Sequence, residues 1–177
     1  MTNATEKETQ PKAEFPAGNN RIDLKGLHHI AAMSEETECF NASLYVDGKN
    51  VGKVSNRGHG GCHEYRLNKD QPKDLIMQLE AWAKGLPEVQ SEWGNFPCSI
   101  EYVINCVVEK GIIEKKLKRD AKNKVLIILP SHADGEYSIA GLNLASPDRH
   151  IASMQRKHPK GIIFNTHPDL FMAKILA

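Results

Sequence analysis

Long hydrophobic runs are missing from this chain of 177 residues. A membrane-spanning helix needs about 20 apolar residues in succession; the longest uninterrupted run, VLIIL at 125–129, has the length of a buried strand. Aromatic residues are scarce, at 6%, which excludes an extended base-stacking platform. Neither charge sign prevails: 23 Lys and Arg stand against 22 Asp and Glu, a formal +1. That balance excludes an acidic DNA mimic and a protein that is basic all over. The four cysteines, Cys39, Cys62, Cys98 and Cys106, show neither CxxC pairing nor the density of a disulfide scaffold, so reduced thiols are expected. The opening MTNATEKETQPKAEFPAGNN lacks the apolar core of a secretory signal. Together these absences predict a cytoplasmic protein with no membrane partner.

What is present fits a globular α+β chain, with 40% hydrophobic and 25% charged residues. Residues 1–21 show no apolar period and read as a disordered tail. Residues 22–97 read as an antiparallel β-meander plus a helix. Phe40, Ala42, Leu44 and Val46 alternate on one face of a strand. Asp47-Gly48 then supplies a hairpin turn, and Gly52 a bulge that accounts for the broken phase of Val51 and Val54. A helix follows with Leu75, Leu79 and Trp82 at helical spacing, and residues 87–98 read as a loop with Trp93 and Phe96 available to pack back on the core.

Residues 98–177 read as a mixed α/β half, expected to pack with the first as one compact unit. Ser99 is the N-cap of a helix striped by Ile100, Val103, Ile104, Val107 and Val108. Gly111 is expected to interrupt it before a second short helix over 112–122. Two strands, a helix starting at Ser146-Pro147, a third strand and a terminal helix complete the half.

The unusual segment is SNRGHGGCHEY at 55–65, with three glycines in four positions. Dense glycine exposes backbone N–H groups and permits close approach. Asn56, Arg57, Gly58, His59, Gly60, Gly61, His63 and Tyr65 therefore form a candidate site for a small anionic ligand. The segment is neither a P-loop nor a dinucleotide fingerprint, because GKS/T and GxGxxG are both absent. The simpler alternative is a wide strand connection with glycines at positive φ.

Residues 40–65, FNASLYVDGKNVGKVSNRGHGGCHEY, resemble a signature shared by small uncharacterised proteins of phages, prophages and plasmids. Its elements are Phe40, Asp47-Gly48-Lys49, Val51-Gly52, Asn56, Gly58, Gly60-Gly61 and Tyr65. The resemblance extends over about 38–129, where a Lys-rich helix leads into a hydrophobic strand. It implies a mobile-element context and an accessory or counter-defence role, and transfers no catalytic residue.

Other chemistry is thinly spelled. His59, Cys62 and His63 lack the paired knuckles of a zinc site, so no metal and no cofactor is expected. Cys62 beside His63 invites a thiol nucleophile, but neighbours in an extended segment point to opposite faces. Cys98 and Cys106 read as packed thiols, and His132 and Asp134 as a solvated turn for want of a partner. A small hydrolase or nucleotide-processing enzyme centred on His59, Cys62, His63 and Glu64 is one alternative. A second is a nucleic-acid-binding module. Lys115, Lys116, Lys118, Arg119, Lys122 and Lys124 fall within ten positions, where clustered cations would release counterions from phosphate. The same cations also suit a solvated helix C-terminus. The preferred expectation is a non-enzymatic binding protein that engages a host or phage macromolecule or sequesters a small anionic ligand.

Overall fold

The computed structural model describes residues 6–9, 19–91 and 93–176. In chain order the strands and helices are β1 (Glu6–Thr9), β2 (Ile22–His29), β3 (Phe40–Val46), β4 (Lys49–Asn56), β5 (Glu64–Leu67) and α1 (Leu75–Ala83). Then come β6 (Val89–Ser91), β7 (Gly94–Phe96), α2 (Ile100–Asp120), β8 (Lys124–Ile128), β9 (Glu136–Gly141), α3 (Pro147–Lys157), β10 (Ile162–Ile163) and α4 (Pro168–Ile175). The fold is α+β, and the chain divides into two compact units between Gly111 and Ile112. That division lies inside α2 rather than at the expected boundary near residue 98. The apolar positions before and after Gly111 serve different cores.

The first unit is built on the expected meander, an antiparallel sheet in the order β2-β3-β4-β5. Phe40, Ala42, Leu44 and Val46 are all buried, so the alternation of β3 marks the core face. Asp47 (φ +50°) and Gly48 (φ +77°) make the turn into β4; positive φ at both centres matches the twist of the paired strands. Gly52 lies at a register shift and has φ +153°. A Cβ there would fall 2.3 Å from the Arg66 carbonyl oxygen, so the backbone of β5 fills the space a side chain would need. The poor phase of β2 has a similar cause: Gly26 has φ +63° and the register with β3 shifts between Lys25 and His28.

Helix α1 buries Leu75, Leu79 and Ala83. The segment after it is a small hairpin, β6-β7, and it corrects one expectation. Trp93 is 87% exposed at its tip and Phe96 is 49% exposed, so neither packs back on the core. Ser99 is the N-cap as expected, its Oγ accepting from the Tyr102 N–H at 3.1 Å. The interruption at Gly111 does not occur, and α2 runs unbroken for 21 residues. One helical glycine costs only about 1 kcal/mol relative to alanine. A Cβ there would lie 2.6 Å from Leu27 Cδ2, so the glycine admits a buried leucine.

The second unit holds a four-stranded antiparallel sheet in the order β1-β9-β8-β10. In β8, Leu126 and Ile128 join Ile113, Leu117, Tyr137 and Phe171 in one cluster, while Val125 and Ile127 join Ile163, Ile151 and Met154 in another. A strand buried on both faces accounts for the unbroken apolar run. Strand β1 contradicts part of the expected tail, because Glu6–Thr9 pairs with Ile139 to Glu136 along the free edge of β9. Edge pairing uses backbone groups and needs no apolar period, which is why a polar EKET segment gave no signal. Residues 1–5 and 10–18 of that expectation lie outside the described residues. Among the described residues no helix is long and apolar enough to cross a membrane.

Candidate functional site

The glycine-rich loop leaves β4 through Asn56, which is buried and organises the turns after it. Its Oδ1 accepts from the Gly58 N–H at 2.9 Å and from Thr37 Oγ1 at 2.8 Å. Its Nδ2 donates to the Gly61 carbonyl at 3.2 Å and meets His63 Nδ1 at 3.1 Å. A backbone N–H can only donate, so the Gly58 contact fixes which end of the amide is oxygen. The other end is therefore NH₂, and His63 Nδ1 must accept. His63 is thereby held as the neutral tautomer with its proton on Nε2.

Of the loop's glycines, Gly58 serves packing. Gly58, Gly60 and Gly61 have φ of +89°, +81° and +89°. A Cβ on Gly58 would lie 1.9 Å from the Met33 carbonyl oxygen. The Gly58 carbonyl accepts from the N–H groups of Glu35, Glu36 and Thr37 at 2.9, 3.0 and 3.3 Å, and the Gly60 N–H reaches Thr37 Oγ1 at 3.3 Å. Two of the amides that would cradle an anion are therefore already engaged. The exposed polar side chains of the loop are paired too, Arg57 with Glu64 at 3.0 Å and His59 with Glu35 at 3.0 Å.

His63 is buried against Phe40 and Tyr65, with ring centroids 5.3 and 6.4 Å away. Its backbone N–H donates to Glu101 Oε1 at 2.7 Å, while its ring Nε2 has no hydrogen-bond partner among the described residues. Burial pushes the imidazole pKa down; the charge of Glu101 and the nearby Asn105 amide oppose that push without overcoming it. Cys62, next in sequence, is exposed. The thiol thus faces solvent while the imidazole is buried with its accepting Nδ1 already engaged by Asn56, which leaves it no free nitrogen to serve as the thiol's base.

Tyr65 faces a different feature, an open cavity of about 550 Å³ between β5, α1 and the start of α2. Ile76, Met77 and Ala81 of α1 and Ile100 of α2 supply apolar wall, and Cys62 lies at its edge. Its polar groups are Tyr65, Glu80 and Glu101, with Lys84 and Ser99. Both carboxylates are anchored: Glu80 Oε2 accepts from the Ile100 N–H at 2.9 Å, and Glu101 Oε1 from the backbone N–H of His63. The Tyr65 hydroxyl is buried without a partner among the described residues. Burial, then the charges of Glu101 and Glu80, raise its pKa far above the ordinary range, so the phenol keeps its proton. Sequence reasoning found Tyr65 and Cys62 but missed Glu80, Glu101 and Met77, because no motif joins positions this far apart.

The remaining candidates are dispersed. Cys39, Cys98 and Cys106 are buried free thiols; burial pushes Cys98 up, and Cys106 to about 11, so both are poor nucleophiles. His132 does have a partner, Ser138 Oγ at 3.0 Å. Its Nδ1 accepts from the Leu129 N–H at 3.1 Å, so the proton is on Nε2 and the ring cannot take one from Ser138. Asp134 pairs with Lys174 at 3.6 Å. Of the basic run, Lys118 pairs with Glu114 at 2.5 Å, and Arg119 and Lys124 flank Asp120 at 3.5 and 3.7 Å. Lys115, Lys118, Arg119 and Lys122 are exposed and Lys116 half-buried. Because α2 is continuous, the separate short helix expected over 112–122 does not exist.

A wider cavity of about 790 Å³ runs along α3 in the second unit. It takes in Gln155, whose buried Oε1 also lacks a partner among the described residues, but none of the residues singled out from the glycine-rich segment. No group of three His, Cys, Asp or Glu among the described residues is placed to hold a metal ion. No family model, curated protein or solved structure matches the chain.

Proposed function

We propose that this chain is a non-enzymatic binding protein of a phage or other mobile element. It acts in the bacterial cytoplasm by sequestering a small ligand, in a counter-defence role. The mobile-element context rests on the signature through Phe40, Asp47-Gly48-Lys49, Asn56 and Gly60-Gly61. The binding reading rests on the 550 Å³ cavity of the first unit and on Tyr65 in its wall, whose buried hydroxyl has no partner among the described residues. An apolar cavity with a few convergent polar groups is the usual form of a ligand site. In the two pairings that suggest catalysis, Cys62 with His63 and Ser138 with His132, the accepting Nδ1 of the imidazole is already engaged by another donor.

The test is to isolate the protein from its host cells, release bound molecules by heating, and identify them by mass spectrometry. A parallel preparation carries Ala81→Trp, which fills the cavity from the exposed side of α1. The wild type should release an unchanged compound that the variant lacks. A chemically converted product would make the protein an enzyme. An equal yield from Ala81→Trp, or no compound from either, would overturn sequestration at this cavity.

A further inference from the structure

We infer that the cavity between β5, α1 and α2 takes a cation with an apolar body, an alkylammonium, rather than an anion. The inference rests on the proposed binding role of that cavity and adds the chemical class of its ligand.

Charge is the first argument. The cavity holds two carboxylates, Glu80 and Glu101, against one ammonium, Lys84. The Lys84 side chain is 60% exposed and lies 3.8 Å from Glu80 Oε1, so it is loosely held in water. An anion entering there would face the carboxylates with little to offset them.

Anchoring is the second. Each carboxylate has one oxygen fixed by a backbone N–H, Glu80 by Ile100 at 2.9 Å and Glu101 by His63 at 2.7 Å. Their positions are therefore set before any ligand arrives, and preorganised acceptors bind a cation without paying for their own ordering. Those contacts also occupy the Ile100 N–H at the start of α2, which an anion would otherwise use.

The orphan hydroxyl is the third. A protonated phenol has lone pairs that accept from an N–H donor. Tyr65 Oη lies beside those two carboxylates, buried and with no partner among the described residues, so a small shift of the ring as the ligand enters would let it complete an ammonium's hydrogen bonds. Ile76, Met77, Ala81 and Ile100 would meanwhile cover an alkyl chain.

The test uses n-hexylammonium, n-hexanol and n-hexanoate as probes, titrated calorimetrically into the full chain. Hexylammonium should bind about tenfold tighter than hexanol, and hexanoate weakest. Glu80→Gln with Glu101→Gln retains both carbonyl acceptors for the anchoring N–H groups. It should bring hexylammonium to within about twofold of hexanol while leaving hexanol unchanged. Tyr65→Phe should weaken hexylammonium several-fold and leave the Tm no lower than wild type, because no intramolecular hydrogen bond is lost. That combination of weaker binding and undiminished stability separates a ligand contact from a structural one. Hexanol binding as tightly as hexylammonium, or hexanoate binding tightest, would overturn the cationic class and leave the cavity standing. If no probe binds, or Ala81→Trp binds all three as well as wild type does, the cavity itself is not the site.

Discussion

His63 shows how one hydrogen-bond chain fixes a protonation state. The Gly58 N–H orients Asn56, Asn56 orients the imidazole, and a second proton on Nδ1 would oppose the Asn56 NH₂. The charged and titratable groups facing the ring are Glu101 of α2 and Tyr65 of β5. Because burial holds its pKa below the ordinary 6.5, the unfolded chain binds this proton more tightly than the folded one. Its effect on stability is therefore neutral above about pH 7 and destabilising as the pH falls through about 6.5. The urea midpoint should drop between pH 7.5 and 5.5. His63→Gln should start lower at pH 7.5 and lose that slope. A variant that keeps the full slope would assign it to another group. Two carboxyls act in a more acid window. Arg21 holds Asp47 below its ordinary value, so that contribution is lost below about pH 4. Burial, helped by Glu38, raises Glu109, which favours the folded state at low pH and fades as the pH rises through its raised value.

At the scale of elements, two glycines of the meander separate backbone conformation from space. Gly48 has φ +77° with nothing near a Cβ, so Gly48→Ala costs only the left-handed conformation, about 1–2 kcal/mol. In Gly52→Ala the Cβ would meet the Arg66 carbonyl at 2.3 Å and Leu67 Cα at 2.8 Å, backbone atoms that cannot swing aside. That variant should lose about 3 kcal/mol or more in urea unfolding, in line with strain added to overpacking. Equal losses would mean that the bulge yields and the close approach of β5 is not required. These glycines were legible in the sequence, since Asp47-Gly48 is a turn signal and Gly52 breaks an alternation. The continuity of α2 was not, because the pattern around Gly111 holds no trace of Leu27, which lies far upstream. Nor was the β6-β7 hairpin, where apolar Trp93 and Phe96 face solvent against their usual preference. The glycine-rich loop stood out by composition, yet two of its amides are engaged, that of Gly58 by Asn56 and that of Gly60 by the more distant Thr37. The cavity was least legible, since it exists only where α1, β5 and α2 converge.

For the whole molecule, the even charge balance and single continuous α2 conceal two hydrophobic cores. Leu44 of the first unit and Leu117 of the second are both fully buried. Leu117 shares its cluster with Leu126, Tyr137, Phe171 and Ile175, all of the second unit. Truncating such a leucine to alanine costs about 2–5 kcal/mol, set by how far the site collapses. Local openings draw on the stability of the cooperative unit that contains them. Leu117→Ala should therefore speed amide exchange in β8, β9 and α4 by at least tenfold while leaving β3 and β4 near wild type. Leu44→Ala should do the reverse, with β3 and β4 the fast strands. Both variants are read by hydrogen-exchange mass spectrometry at neutral pH, where His63 stays neutral and adds no slope of its own. Uniform acceleration across both sheets in either variant would mean that the chain opens as one cooperative body, with the two cores contributing to a single transition.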